Sequence, residues 1–307
     1  NYKYYYYLGV DILKAFNITG RGTTVAVIDS GINDYSNEIK DKQVGRIIYQ
    51  VNFLTRQEGD PLKIGDITPE SYLAHGTGVA SVVAGVRGIA PEANIIDLKV
   101  KSESGELYYM TAVYTAEAIH WCIRNKDIFN ISVIALALGS RDQYYGFLTE
   151  AVDKAFLNGI VVVTAAGIAD ITKGSIWGGI MNPGIADFAI TVGATKDYND
   201  DSPSPISPRG PSPHWYILKP ELTSAPIYTS TASSLVVGVA LLLAQQCNEA
   251  GIPPTLRAPA IRWALIAGAQ EYDLGPLGWD AQYGFGRVNA ITSYLYLKNH
   301  LKLHISE

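Results

Sequence analysis

Three short segments hold the residue types of nucleophilic catalysis. In Val25-Ala26-Val27-Ile28-Asp29-Ser30-Gly31-Ile32 an apolar run ends in an acid and a glycine turn. In His75-Gly76-Thr77-Gly78-Val79-Ala80-Ser81 a histidine opens an apolar stretch that closes at Gly85. In Thr229-Ser230-Thr231-Ala232-Ser233 a serine heads a long run of apolar and small residues. An imidazole with an unperturbed pKa of about 6.5 is a suitable general base at neutral pH. A serine hydroxyl turns nucleophilic once a base takes its proton, and a carboxylate can orient that base. A serine at a helix start also brings a free backbone N–H, half of an oxyanion hole. Each segment alone has a structural alternative: an Asp capping its own turn, a histidine packed at a helix start, a plain N-cap serine. Together, in the order Asp, His, Ser, they fit one known arrangement of a charge-relay triad. His120, His214, His300 and His304 have no comparable context.

The elements that must position these groups alternate short β-branched runs with helical ones. Strands are predicted over Thr23 to Ile28, Ala93 to Val100, Ser132 to Leu138, Ile160 to Ala165 and Ala189 to Ala194. Each is apolar almost throughout, as in strands covered on both faces of a parallel sheet. Helices are predicted over Gly76 to Gly85, Met110 to Asn125, Leu148 to Asn158, Ser233 to Gln246 and Pro259 to Ala267. This alternation implies an α/β fold, a doubly wound and mostly parallel sheet with helices on both faces. In such sheets functional groups gather beyond the carboxyl ends of the strands, which is where Asp29 falls. Residues 57–69 and 197–213 are turn-rich and read as loops. Neither divides the chain, so residues 1–307 read as one domain with an N-terminal arm (1–20) and a solvated C-terminal tail (298–307). The Tyr4 to Tyr7 run reads as packing or interface.

The 307 residues are 48% hydrophobic and 17% charged, a globular composition. The net charge of -5 speaks against a nucleic-acid partner. The two cysteines, Cys122 and Cys247, give no metal pattern; two separate buried thiols are expected, with a single bridge as the alternative. The strongest apolar run, Leu235 to Ala244, is half the length of a membrane span. The chain starts at Asn1 without a leader, which reads as a processed or trimmed form, removal of a prosegment being one reading, and few cysteines with 20 tyrosines lean toward a secreted or cell-surface protein.

Beyond the three segments the chain resembles the subtilisin-like serine proteases, the subtilase family. Gly88-Ile89-Ala90-Pro91-Glu92-Ala93 and Asp97-Leu98-Lys99-Val100 are similar to the family's segment after the histidine helix. Ala137-Leu138-Gly139 is similar to its substrate-binding strand, and Ala165-Ala166-Gly167 to the segment flanking its primary specificity pocket. Ser207-Pro208-Arg209-Gly210-Pro211, Lys219-Pro220-Glu221-Leu222 and Ala225-Pro226 resemble a block of one subtilase branch. Tyr283-Gly284-Phe285-Gly286-Arg287-Val288-Asn289-Ala290 is close to the family's closing motif. The match runs from about Tyr7 to Tyr296. It implies a three-layer sandwich and a serine endopeptidase in which Asp29, His75 and Ser230 are catalytic. The substrate would lie extended as an added strand, between Ala137-Leu138-Gly139 and Ser104-Gly105. Ala165, Ala166 and Gly167 would border the primary pocket, where the lack of a charged residue suggests an apolar or aromatic preference. No cofactor is required. Structural calcium occurs in the family, but the segment from Gly85 to Gly88 lacks the inserted calcium loop and no site is predicted.

The sequence departs from the family where the oxyanion would be held. The family's asparagine after Ala-Ala-Gly is Ile168, which has no donor, leaving the Ser230 backbone N–H. The family's glycine two residues before the serine is Tyr228, and its proline four residues after is Ser234. Only three residues separate Pro226 from Ser230, where the family places a hairpin. A subtilase fold kept for binding or assembly, with weak or no turnover, is therefore the alternative. A dinucleotide-binding domain fits poorly: Gly76-Thr77-Gly78 lacks a third glycine in register and follows a polar loop.

Overall fold

The computed structural model describes residues 3–33, 46–64, 68, 75–102, 108–141, 145–169, 177–212 and 217–305. The apolar runs form one sheet. Its strands are β1 (Thr24–Asp29), β2 (Ile47–Asn52), β3 (Gln57–Gly59), β4 (Asn94–Lys99), β5 (Ile131–Leu136), β6 (Val161–Ala165), β7 (Ile190–Asp197), β8 (Asp200–Pro203) and β9 (Leu222–Ser224). The spatial order is β3-β2-β4-β1-β5-β6-β7-β8, with β9 also on β7. The pairings are parallel except those of β3 and β8 with their neighbours. The five predicted strands appear as β1, β4, β5, β6 and β7. The short β3 and β8 fall in stretches read as loops, because three or four polar residues show no usable alternation.

The helices are α1 (Lys3–Leu8), α2 (Val10–Ala15), α3 (Pro61–Ile64), α4 (His75–Ala84), α5 (Tyr108–Phe129), α6 (Phe147–Leu157), α7 (Thr229–Glu249), α8 (Pro254–Gln270) and α9 (Ala290–Ile305). Successive strand residues go to opposite faces. Val25, Val27, Val133, Ala135, Val161 and Val163 pack with α4, α7, α8 and α9 in one core. Ala26, Ile28, Ile134, Leu136 and Val162 pack with α5 and α6 in the other. The result is a three-layer α/β sandwich, and it explains why the strands read as unbroken apolar runs.

The two ends are both packed on the fold, and the C-terminal one differs from expectation. The N-terminal arm is part of the core: Leu8, Val10, Leu13 and Ile18 are buried against the first cluster. Gln245 of α7 accepts the N–H groups of Thr19 and Gly20 at 2.9 and 2.8 Å. Residues 298–305 of the predicted C-terminal tail belong instead to α9, which buries Leu297 and Leu301. There the His300 ring lies 5.0 Å from that of Trp263. Helix α8 starts earlier than expected because Pro254, not Pro259, is the first-turn proline.

Helix α7 is 21 residues and holds an 18-residue window of mean hydropathy 1.4, long and apolar enough to cross a membrane. Yet 83% of that window is buried within the fold, where it fills the space between sheet and outer helices. Cys122 and Cys247 are free and buried, as expected. Burial pushes both thiols up, Cys247 to about 12. A buried ion pair closes the far side of the sheet: Lys219 Nζ donates to Glu221 Oε1 at 2.6 Å, and Arg262 donates to the same oxygen at 3.0 Å.

Candidate active site

Strands β4, β1, β5 and β6 are neighbours and parallel, so their carboxyl ends share one edge. That edge carries Asp29 at the end of β1, Ala137-Leu138-Gly139 beyond β5, and Ala165-Ala166-Gly167-Ile168 at the end of β6. Adjacent strands lie about 4.8 Å apart, so the three segments stand side by side.

Asp29 is 1% exposed. The ring Nδ1 of His75 lies 3.0 and 2.9 Å from its two carboxylate oxygens. The backbone N–H of Ser30 donates to Oδ1 at 2.7 Å, and Lys101 Nζ is 3.8 Å away. Burial alone would raise the Asp29 carboxyl. The hydrogen bond and charge of His75, then Lys101 and the Ser30 N–H, overcome it and hold the group below the usual carboxylate range. An ionised Asp29 bonded to Nδ1 fixes the ring with its Nε2 directed away from the carboxylate. The His75 side chain is 36% exposed, so the imidazole faces the solvent side of the edge.

The turn after β1 is built to hold this pair. Asp97 on β4 accepts the Ile32 N–H at 2.9 Å and the Thr68 hydroxyl. Ser30 Oγ accepts the Gly76 N–H at 3.1 Å, and Thr77 Oγ1 accepts the Asn33 N–H at 2.9 Å. Helix α4 is thereby docked on the turn. Its closeness depends on Gly76, where a Cβ would sit 2.5 Å from the Gly31 carbonyl oxygen and 3.2 Å from Asp29 Cβ.

Ser230 is the second residue of α7, whose N-cap is Tyr228. The helix begins four residues before the predicted start at Ser233. Its first-turn N–H groups therefore point out of the helix end. The Thr231 and Ala232 N–H groups turn back to the Tyr228 carbonyl, while that of Ser230 has no partner among the described residues. The Ser230 hydroxyl donates to the Ala137 carbonyl at 3.3 Å. That is long for an O–H···O bond, and the hydroxyl can leave it at little cost. Thr229 Oγ1 donates to the Gly167 carbonyl at 2.7 Å, tying the helix start to the segment beyond β6. Ile168 is 53% exposed and Tyr228 is 57% exposed, so neither side chain is a core residue. A cleft of about 280 Å³ opens beside Ile168, lined by Arg141, Ile168, Ala169, Trp177, Gly178, Gly179 and Met181.

The structure thus joins Asp29 to His75, and Ser230 to the Ala137 segment. Ser104 and Gly105 lie outside the described residues, as does His214. Sequence reasoning missed Lys101, Thr229 and Met181. Lys101 reaches Asp29 through the β1–β4 register, and neither it nor Met181 carries a signal in its type or spacing.

The profile of the subtilase family matches residues 20–226. The chain belongs to the subtilase family. Among curated relatives of this subtilase, serine protease AprX of Bacillus subtilis is 30% identical, over 90% of this chain and 67% of that protein. Thermitase of Thermoactinomyces vulgaris is 30% identical, over 90% of each. The subtilase fold is also that of the Clostridium perfringens CspB protease, with a TM-score of 0.80 at 17% identity, covering 94% of this chain and 97% of that one.

Proposed function

We propose that this subtilase is a serine endopeptidase. Ser230 Oγ attacks the scissile carbonyl, and His75 takes its proton and returns it to the leaving amine. Asp29 orients the ring and stabilises the imidazolium. Water then hydrolyses the acyl-enzyme. The observation that carries this reading is the buried Asp29 carboxylate held on His75 Nδ1 at 2.9 Å, since a general base needs that tautomer.

The peptide binds as an added strand along Ala137-Leu138-Gly139. Leu138 and Gly139 make no backbone hydrogen bond among the described residues, which leaves their groups for a partner strand. The oxyanion is received by the Ser230 N–H alone among the expected donors, because Ile168 has replaced the asparagine. The reaction needs no metal or organic cofactor. Export from the cell is part of the proposal on composition only, for the relatives include a protein named intracellular serine protease.

A fluorophosphonate tests the reading directly. At pH 8 it should form one adduct, on Ser230, and His75→Ala should abolish it. An unlabelled Ser230 in folded protein would show that the hydroxyl is not activated. It would favour the second reading, a subtilase fold used for binding. That reading draws on one observation, the exposed aliphatic side chain of Ile168 where a donor is wanted.

A further inference from the structure

Residues 180–182 cross the sheet edge and join the two segments that flank the substrate. The Met181 N–H donates to the Ala166 carbonyl at 2.9 Å, while Asn182 and Ser140 exchange N–H···O bonds of 3.0 and 2.8 Å. These bonds fix the Met181 side chain between the two segments. A Cβ on Gly139 would lie 3.2 Å from Met181 Cβ, and one on Gly167 only 2.3 Å from Met181 Sδ. The Ile168 N–H donates to the same sulfur at 3.3 Å. Gly167 has φ +110°, so the chain there is shaped for glycine and for this close thioether together. Met181 also lines the 280 Å³ cleft beside Ile168, whereas neither Gly139 nor Gly167 does. The side chain therefore stands between the substrate-side backbones and the open cleft.

We infer that Met181 sets the specificity of the site: it stops the pocket between Gly139 and Gly167 and restricts the substrate residue on the acyl side of the scissile bond to glycine or alanine. This rests on the proteolytic reading above, and it narrows the expected apolar or aromatic preference to the smallest apolar residues. A phenyl ring entering between the two glycines meets the thioether before any free volume, and an overfilled pocket excludes what it cannot repack around. Removing the side chain joins the entry to the cleft.

The test uses the full chain with Ser230→Ala, so that binding is read without turnover, and two peptides that differ only in alanine or phenylalanine before the scissile bond. The alanine peptide should bind at least about tenfold tighter by titration calorimetry. Adding Met181→Gly should erase that ratio by improving the phenylalanine peptide, Met181→Leu should keep it, and Met181→Ala serves if the glycine variant does not fold. Equal affinities in the parent, an unchanged ratio in the small-residue variants, or binding of neither peptide overturns the inference. Turnover of the alanine peptide by the unmodified chain is measured beside it. Discrimination without turnover sinks the proteolytic reading and leaves Met181 in its role; turnover without discrimination does the reverse.

Discussion

In the proposed mechanism Ile168 takes the place of an amide donor to the oxyanion, and its side chain is half exposed. Losing one such donor costs about 10²–10³ in kcat, a figure that comes from subtilisin itself. Ile168→Asn should therefore raise kcat at least about tenfold with little change in KM, because the donor acts only in the transition state. An unchanged rate would mean that another group already serves there. Asp29 gives a second outcome at this scale. Its folded-state carboxyl lies below the ordinary range, so the ionised group contributes stability that is fully present above the unfolded pKa of about 3.9. That contribution is lost as pH falls through the lower folded value. The difference in unfolding free energy between the wild-type chain and Asp29→Asn should be larger at about pH 5 than at about pH 3. Denaturant titrations across pH check this; a difference that grew on acidification would contradict the assigned charge.

At the scale of elements, two hydrogen bonds join α4 to the turn after β1, Thr77 accepting from Asn33 and Ser30 accepting from Gly76, while Asp97 of β4 holds the same turn through Ile32. Gly76 is the contact that brings the histidine over the aspartate. Gly76→Ala puts a methyl group 2.5 Å from a backbone carbonyl, so the helix start must move. Overpacking of this kind costs about 1–3 kcal/mol in stability. A displacement of about 1 Å at a reacting group can cost about 10²-fold in rate. The variant should stay folded at 25 °C yet lose at least about tenfold in fluorophosphonate labelling rate. Labelling at the wild-type rate would show that the docking distance does not control His75. Sequence alone exposed the elements but not this docking. The apolar runs of β1, β5 and β6 signal strands because each is covered on both faces, and the His75 and Ser230 segments signal helix starts. What sequence hid were contacts between distant segments: Lys101 beside Asp29, Thr229 on Gly167, and Met181 between two glycines. Such contacts depend on register across strands, which composition and spacing do not carry.

For the molecule as a whole, the three layers were legible because strand and helix patterns alternate along most of the chain. The C-terminal end was not, since a run rich in Lys and His flanks Leu297 and Leu301, the two leucines that seat α9. The cysteines test the packing globally. Cys122 and Cys247 belong to opposite cores, both free and both fully buried. Thiolates are disfavoured at both. Iodoacetamide at pH 8 should leave both unmodified in the native protein and alkylate both in denaturant. Native alkylation of either would show a core looser than described here.

Ser230, the proposed nucleophile, sits at the tip of the helix that the rest of the fold wraps around. Segments of that kind exchange their amide hydrogens last, since they open only when the whole domain does. Ser230 is thus anchored to the most slowly opening part of the protein, although its hydroxyl lies at the edge. Heat should therefore abolish fluorophosphonate labelling and melt the ordered core in a single event.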